Sequence, residues 1–205
     1  MIHISRGRTL RRSMAVLWLI AVALVGSSQS FAAETPANLE TFRTQVALPS
    51  VVLVDQFGNS HQLESLFKEH VVVVDFVFTS CRSVCPIITA VMKRVHQVLK
   101  NSLGDSLLLV SITLAPQQDS PEQLAQFANK LGNFPHWLWL SGEPPAVGQA
   151  IQAFGINPNA APETHPPLIV VGQGKDWFKW VGLPDAQTIA QAALTMLQKQ
   201  KNPAP

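Results

Sequence analysis

An apolar run that changes its period at a pair of cysteines leaves little freedom of fold. Residues 71–100 read VVVVDFVFTSCRSVCPIITAVMKRVHQVLK. The stretch 71–78 is almost unbroken β-branched and aromatic sequence, which predicts a strand buried on both faces of an α/β sheet. After Cys85 the apolar residues Ile88, Val91, Met92, Val95 and Leu99 recur three and four apart. That spacing is the stripe of an amphipathic helix lying on the sheet. Pro86 fits a first helical turn, where its missing N–H would have had no partner, and so places the helix start near residues 83–85. Cys81 and Cys85, the only two cysteines, fall in the turn between strand and helix. A thiol at a helix N-terminus feels the positive end of the macrodipole, and unpaired amides there favour the thiolate. Both sulfurs are therefore expected to be reactive. The Cys-x-x-x-Cys spacing brings them within reach of one soft ion, or of each other as a disulfide. An inert structural bridge is the third reading, and so short a loop gives it little to stabilise.

The rest of the chain supplies a sheet for this turn. Residues 48–61 predict an extended segment with a turn at 55–59, a short hairpin, and Leu63, Leu66 and Phe67 predict a helical turn before the central strand. A second apolar run, SLLLVSITL at 106–114, predicts a parallel neighbour joined to the first strand through the intervening helix. Ser120-Pro121-Glu122-Gln123 carries a cap, a proline at the first helical position and a capping-box partner, with Gly132 ending that helix. Residues 137–140 predict a third strand and 145–154 a further helix. A polar loop at 157–164 runs into His165-Pro166-Pro167, followed by a hairpin over 168–181 and a last helix capped by Asp185. Met92, Met196, Trp137, Trp139, Trp177 and Trp180 are expected in the core. His61 and His70 are expected to be solvated, with His96 on the polar side of its helix and His136 in a turn. The patterns add up to one sheet with helices on both faces, without repeat or second domain.

The composition, 47% hydrophobic and 14% charged, suits a compact globule. A net charge of +2, with no basic run beyond the N-terminus, gives no reason to expect a nucleic-acid partner. Arg6, Arg8, Arg11 and Arg12 precede the apolar run 14–25, and Ser30-Phe31-Ala32-Ala33 follows. This is the layout of a secretory signal over residues 1–33, cleaved after Ala32 or Ala33. The run falls short of the ~20 residues that span a bilayer, so an uncleaved inner-membrane anchor is the secondary reading, and a membrane is met only through it. The organisation expected is a signal or anchor at 1–33, a polar lead-in of weakly helical spacing at 34–47, one domain at 48–199 and a frayed tail at 200–205. The mature protein is expected in the periplasm or another extracytoplasmic space, where disulfides are permitted.

The segment Phe76-Val-Phe-Thr-Ser-Cys81-Arg-Ser-Val-Cys85-Pro86, then Val110-Ser-Ile-Thr, Asp119-Ser-Pro-Glu122 and a lone His165 ahead of a late hairpin, resembles the SCO/SenC family from about residue 48 to 197. The resemblance implies an α/β, thioredoxin-like central sheet flanked by helices, here with an N-terminal hairpin extension. It also implies a copper metallochaperone for cytochrome c oxidase assembly, with Cys81, Cys85 and His165 as copper ligands. Two thiolates suit Cu(I), and an added imidazole makes Cu(II) tolerable. The implied partners are the copper ion, a recipient cuproprotein such as an oxidase subunit, and a thiol reductant protein.

Three places depart from the family's usual pattern. Arg82-Ser83-Val84 stands where an acidic residue is common, Ala115-Pro116 replaces an Asp-Pro, and His165 is followed by Pro166-Pro167. The first two remove groups that would orient the ligands. The prolines resemble the cis-proline that thioredoxins set against their redox disulfide. The alternative function is therefore a thiol-disulfide oxidoreductase with Cys81 and Cys85 catalytic, one attacking a partner's disulfide and the other resolving the mixed species. A peroxidase of the peroxiredoxin kind is a distant third, since no proline precedes Thr79.

Overall fold

The computed structural model describes residues 42–202. The expected signal or anchor, most of the lead-in and the last three residues lie outside the described residues. Fourteen elements follow in order: β1 (Phe42–Gln45), β2 (Val52–Val54), β3 (Ser60–Gln62), α1 (Leu63–Glu69), β4 (Val71–Val77), α2 (Cys85–Leu99), β5 (Leu107–Thr113), α3 (Pro121–Leu131), β6 (Trp137–Leu140), α4 (Pro144–Ala153), a 3-10 turn (Pro162–Thr164), β7 (Leu168–Gln173), β8 (Asp176–Val181) and α5 (Ala186–Lys201). Among the described residues no helix is long and apolar enough to cross a membrane.

Six strands form one sheet in the order β1-β8-β7-β4-β5-β6. β4 and β5 run parallel, with Val71 opposite Leu107 and Val77 opposite Thr113, and β6 continues parallel to β5. β7 joins the other side of β4 antiparallel, followed by β8. Every residue of β4 and β5 is buried, which explains why both read as continuous apolar runs: helices cover both faces. Val71, Val73 and Val77 face a layer with Cys85, Ile88 and Met92 of α2 and Ile189 of α5. Val72, Val74 and Phe76 face the opposite layer, with Phe67, Ile151 and Trp177. Removing such a Val or Phe side chain from water contributes ~1.5–3 kcal/mol, so the strand that carries the cysteine turn is anchored on both of its faces.

The helix starts are those the sequence prescribes. Ser120 and Gln123 close a capping box, and Gly132 ends α3 in the left-handed region at φ +118. The Asp185 carboxyl accepts the N–H groups of Gln187 and Thr188. Gly174, at φ +57, opens the two-residue turn of the β7–β8 hairpin. Asp55 accepts the N–H groups of Phe57 and Asn59, fixing the β2–β3 turn.

Four expectations change. The end of the lead-in is a strand, β1, paired antiparallel with β8. Its pairing is main-chain hydrogen bonding at a sheet edge, with Arg43 over the Phe178 ring at 5.0 Å, and neither leaves an apolar period in the sequence. His96 is buried, its Nε2 2.8 Å from the Pro135 carbonyl and its ring against Phe134. His61 is not simply solvated: its Nε2 lies 2.8 Å from Asp55 Oδ2. Among the described residues every peptide bond is trans, Pro166 and Pro167 included, so the likeness to a thioredoxin cis-proline does not hold. The four tryptophans and both methionines are core, as their placement on strands and helix stripes requires.

Candidate metal centre

β4 runs out at Val77, and the chain turns through Thr79-Ser80-Cys81, with the Cys81 N–H donating to the Phe78 carbonyl at 3.2 Å. Cys85 is the first residue of α2. Val84, at the cap position, has no side chain to offer the first amides. Cys81 takes that role, since its Sγ accepts the Cys85 N–H at 3.4 Å, with the Ser83 hydroxyl 3.8 Å away. Both cysteines are free thiols.

The two sulfurs are unequal, which the sequence did not indicate. Burial alone would push Cys81 up, but hydrogen bonds from the Cys85 thiol, from backbone N–H groups of Cys85 and Ser83, and from the Ser83 hydroxyl outweigh it and hold Cys81 below its ordinary value. Cys85 is pushed up to about 12, first by burial, then by its hydrogen bond to Cys81 and by the nearby charges of Cys81 and Asp75. The helix dipole acts on both positions; donor count and solvent access separate them. Cys81 is the thiolate-forming, partly exposed sulfur, and Cys85 is a buried thiol, 4% exposed.

His165 follows the 3-10 turn, its N–H directed at the Pro162 carbonyl. It lines one narrow cleft of about 10 Å³ with Cys81, Cys85 and Glu163. Desolvation lowers its basicity, and the Lys179 charge acts in the same direction against a backbone hydrogen bond at Pro166. A neutral imidazole has a lone pair for a metal. Among the described residues no three His, Cys, Asp or Glu side chains converge closely enough to form a ready metal site. The fold thus brings His165 to the cysteine cleft without closing the three donors on one point.

Two acidic residues that sequence reasoning did not assign to the site sit behind it. Asp119, 1% exposed, accepts the Thr79 N–H at 3.1 Å, the Thr79 hydroxyl at 2.5 Å and the Thr113 hydroxyl at 2.6 Å. Its own carbonyl accepts the Ser141 hydroxyl at 2.6 Å. One residue therefore pins the ends of β4, β5 and β6 together, and the Thr79 that it holds stands two positions ahead of Cys81. The signal available was an aspartate immediately before a complete capping box, where Ser120 already caps the helix and leaves that carboxyl without a local role. The second is Asp75, wholly buried in the middle of β4; a lone carboxyl in an otherwise apolar strand was its signal. The departures at 82–84 and 115 coexist with this support: Ala115 is buried and its N–H donates to the Thr113 hydroxyl at 2.9 Å.

The sequence model of the SCO1/SenC family matches residues 43–170, more than half of the chain. This chain belongs to the SCO1/SenC family. Among its Sco relatives, the SCO1 homolog of Bacillus subtilis is 38% identical over 89 residues, 43% of this chain and 45% of that protein. The match thus spans a little under half of that relative's length. A Stutzerimonas stutzeri protein whose name assigns it copper binding is 32% identical over 158 residues, 76% of this chain and 75% of that one. Solved Sco structures share the fold. BsSco, a member of the Sco family of cytochrome c oxidase assembly proteins in which a disulfide switch was identified, superposes with a TM-score of 0.61 at 24% identity, covering 78% of this chain and 98% of its own. Yeast Sco1 with copper bound gives 0.58 at 20%, covering 79% and 91%. The Sco fold of this chain is the expected thioredoxin-like α/β sheet with flanking helices.

Proposed function

We propose that this Sco chain is an extracytoplasmic copper carrier that holds one ion through Cys81, Cys85 and His165 and passes it to a recipient cuproprotein such as a respiratory oxidase subunit. The observation that carries this reading is the single cleft lined by all three residues. Its donors, two sulfurs and an imidazole nitrogen, suit copper in both oxidation states. The copper-bound structure of yeast Sco1 and the copper-binding relative from Stutzerimonas stutzeri support the same cargo. Cys81, held below its ordinary value, meets the ion first. The Cys85 thiol gives up its proton as the second sulfur coordinates, and His165 swings inward to complete the set when the ion is Cu(II).

Reduced protein is expected to bind Cu(I) one to one in equilibrium dialysis, and the double substitution Cys81→Ser, Cys85→Ser to abolish it; copper retained by that double variant would end the proposal. His165→Ala is expected to weaken Cu(II) at least tenfold while changing Cu(I) little, because Cu(I) is satisfied by the sulfurs. Equal losses for both ions would remove His165 from the ligand set. Export fits a chain whose residues 1–33 have a signal layout, and a periplasmic product beginning after Ala32 or Ala33, read by mass spectrometry, is the expected result.

One observation favours a second reading, thiol-disulfide exchange. A partly exposed sulfur held below its ordinary value beside a buried thiol pushed up is the division of labour between an attacking and a resolving cysteine. Insulin reduction with a thiol reductant present separates the two readings: turnover lost in Cys81→Ser would support exchange, and no turnover leaves copper carriage.

A further inference from the structure

Three donors satisfy Cu(I), but the oxidised ion asks for one more. Cu(II) favours a tetragonal set that includes nitrogen and oxygen, whereas Cu(I) is content with soft sulfur. The cleft holding Cys81, Cys85 and His165 has a volume of about 10 Å³, no more than the room a single water needs. An ion seated there displaces that solvent, so its remaining position falls to the walls. Most of the lining is apolar, and among the described residues only Ser83 and Glu163 bring a side-chain oxygen to it. The Ser83 hydroxyl is neutral and already lies 3.8 Å from Cys81 Sγ. The Glu163 carboxyl is exposed and has neither a hydrogen bond nor an ion pair among the described residues.

Glu163 and His165 ride on one small, stiff piece of chain. Glu163 is the middle residue of the 3-10 turn, and His165 follows that turn directly. The Thr164 N–H and hydroxyl both donate to the Ala161 carbonyl, at 3.0 and 2.7 Å. Pro162, Pro166 and Pro167 fix φ on either side. On its other flank the turn walls a groove of about 250 Å³, where Pro162, His165 and Pro166 face Ile151 and Ile156. A shift toward the sulfurs therefore widens an existing groove, and whatever carries His165 inward carries Glu163 with it.

We propose that Glu163 supplies an oxygen donor to Cu(II) beside the two sulfurs and the imidazole, and so selects the oxidation state of the cargo. This rests on the copper-carrier reading. One Cu–O bond to the carboxylate forms and one Cu–water bond breaks; no electron is transferred. The charge count gives the selectivity. Two thiolates, a neutral imidazole and a carboxylate leave Cu(II) with one net negative charge. The same four donors around Cu(I) would leave two, where the thiolates alone leave one. Added negative charge is unfavourable in a cleft with apolar walls, so Glu163 joins Cu(II) and stays off Cu(I). The loop between the cysteines, Arg82-Ser83-Val84, has no carboxyl to take its place.

The test compares the reduced full chain with Glu163→Ala and Glu163→Asp, loaded with Cu(II) or Cu(I) in the absence of oxygen. Glu143→Ala, which removes an exposed carboxyl that does not line the cleft, controls for charge alone. Pulsed electron paramagnetic resonance in D2O is expected to show no metal-bound water on Cu(II) in the unmutated chain and bound water in Glu163→Ala. Cu(II) binding by Glu163→Ala is expected to weaken about tenfold, the lower end of what groups around a metal contribute. Cu(I) binding, measured against bicinchoninate, is expected to stay the same, so the Cu(II)/Cu(I) potential rises by about 59 mV. Glu163→Asp is expected to recover part of the Cu(II) affinity. Bound water already present in the unmutated chain overturns the proposal, as does a Cu(II) spectrum unchanged by Glu163→Ala or an equal loss in Glu143→Ala. A chain that binds neither ion overturns the carrier reading itself, an outcome distinct from Cu(II) binding that ignores residue 163.

Discussion

Asp119→Ala is expected to destabilise the fold by about 3–5 kcal/mol and to weaken Cu(I) binding together with it. The substitution strips three donors of their acceptor: the Thr79 N–H, the Thr79 hydroxyl and the Thr113 hydroxyl. A buried donor left without a partner costs about 1–3 kcal/mol. Hydroxyls can turn to other acceptors and a backbone amide cannot, so the total falls below the sum of the maxima. The loss is local to function because Thr79 precedes Cys81 by two residues, and the carboxyl holds both its N–H and its hydroxyl where the cysteine turn begins. Asp119→Asn keeps the shape but replaces an acceptor with an NH2 donor facing other donors, and is expected to recover only part of the loss. Urea unfolding measures the first effect, and Cu(I) competition on the folded fraction the second. A loss under about 1 kcal/mol with unchanged copper affinity would show that the turn is held by something other than this residue.

The second large effect is a stability that declines as pH rises. Asp75 titrates near 7 in the folded chain because burial penalises its charge, with the Ser111 hydroxyl working the other way. In the unfolded chain it titrates near the ordinary value of about 3.9. Between those values the folded state binds a proton that the unfolded state does not, so the stabilisation is complete below about pH 4 and gone once the pH passes about 7. Three pH units at about 1.36 kcal/mol each amount to roughly 4 kcal/mol over the window. Asp55 and Asp185 are held below their ordinary value, so they contribute with the opposite sign and only at the acid end. His165, partly exposed and held below its ordinary value by desolvation, also opposes the trend weakly. Subtracting the Asp75→Asn curve from the wild-type curve isolates the residue. The expected difference is a wild type that loses stability from pH 5 to 8 while the variant stays nearly flat and is the more stable of the two at pH 8. Parallel curves would mean that Asp75 is charged in the folded chain throughout.

Much of this protein was readable because its signals are local. The unbroken apolar runs of β4 and β5, the Pro86 helix start, the Ser120–Gln123 capping box and the Asp185 cap are each set by neighbours within a few residues, and all appear where the sequence puts them. The Cys81–Cys85 turn belongs with them, since a strand feeding a helix fixes where both sulfurs lie. β1 was not readable, because its partner is the main chain of β8, more than 130 positions away. Nor was the burial of His96, which depends on the Pro135 carbonyl reaching over from another segment.

What the sequence by itself determined, then, is the order of the strands and helices that follow β1 and the placing of two thiols at a helix start, because local periodicity and capping chemistry act within a turn or two of chain. Only the tertiary structure decided that the thiols differ in acidity, that Asp119 pins the turn from β5's side, that Asp75 lies under Cys85, and that His165 reaches the same cleft. Those outcomes depend on desolvation and on which side chains face one another across the sheet, and both are properties of packed layers that distant segments build together.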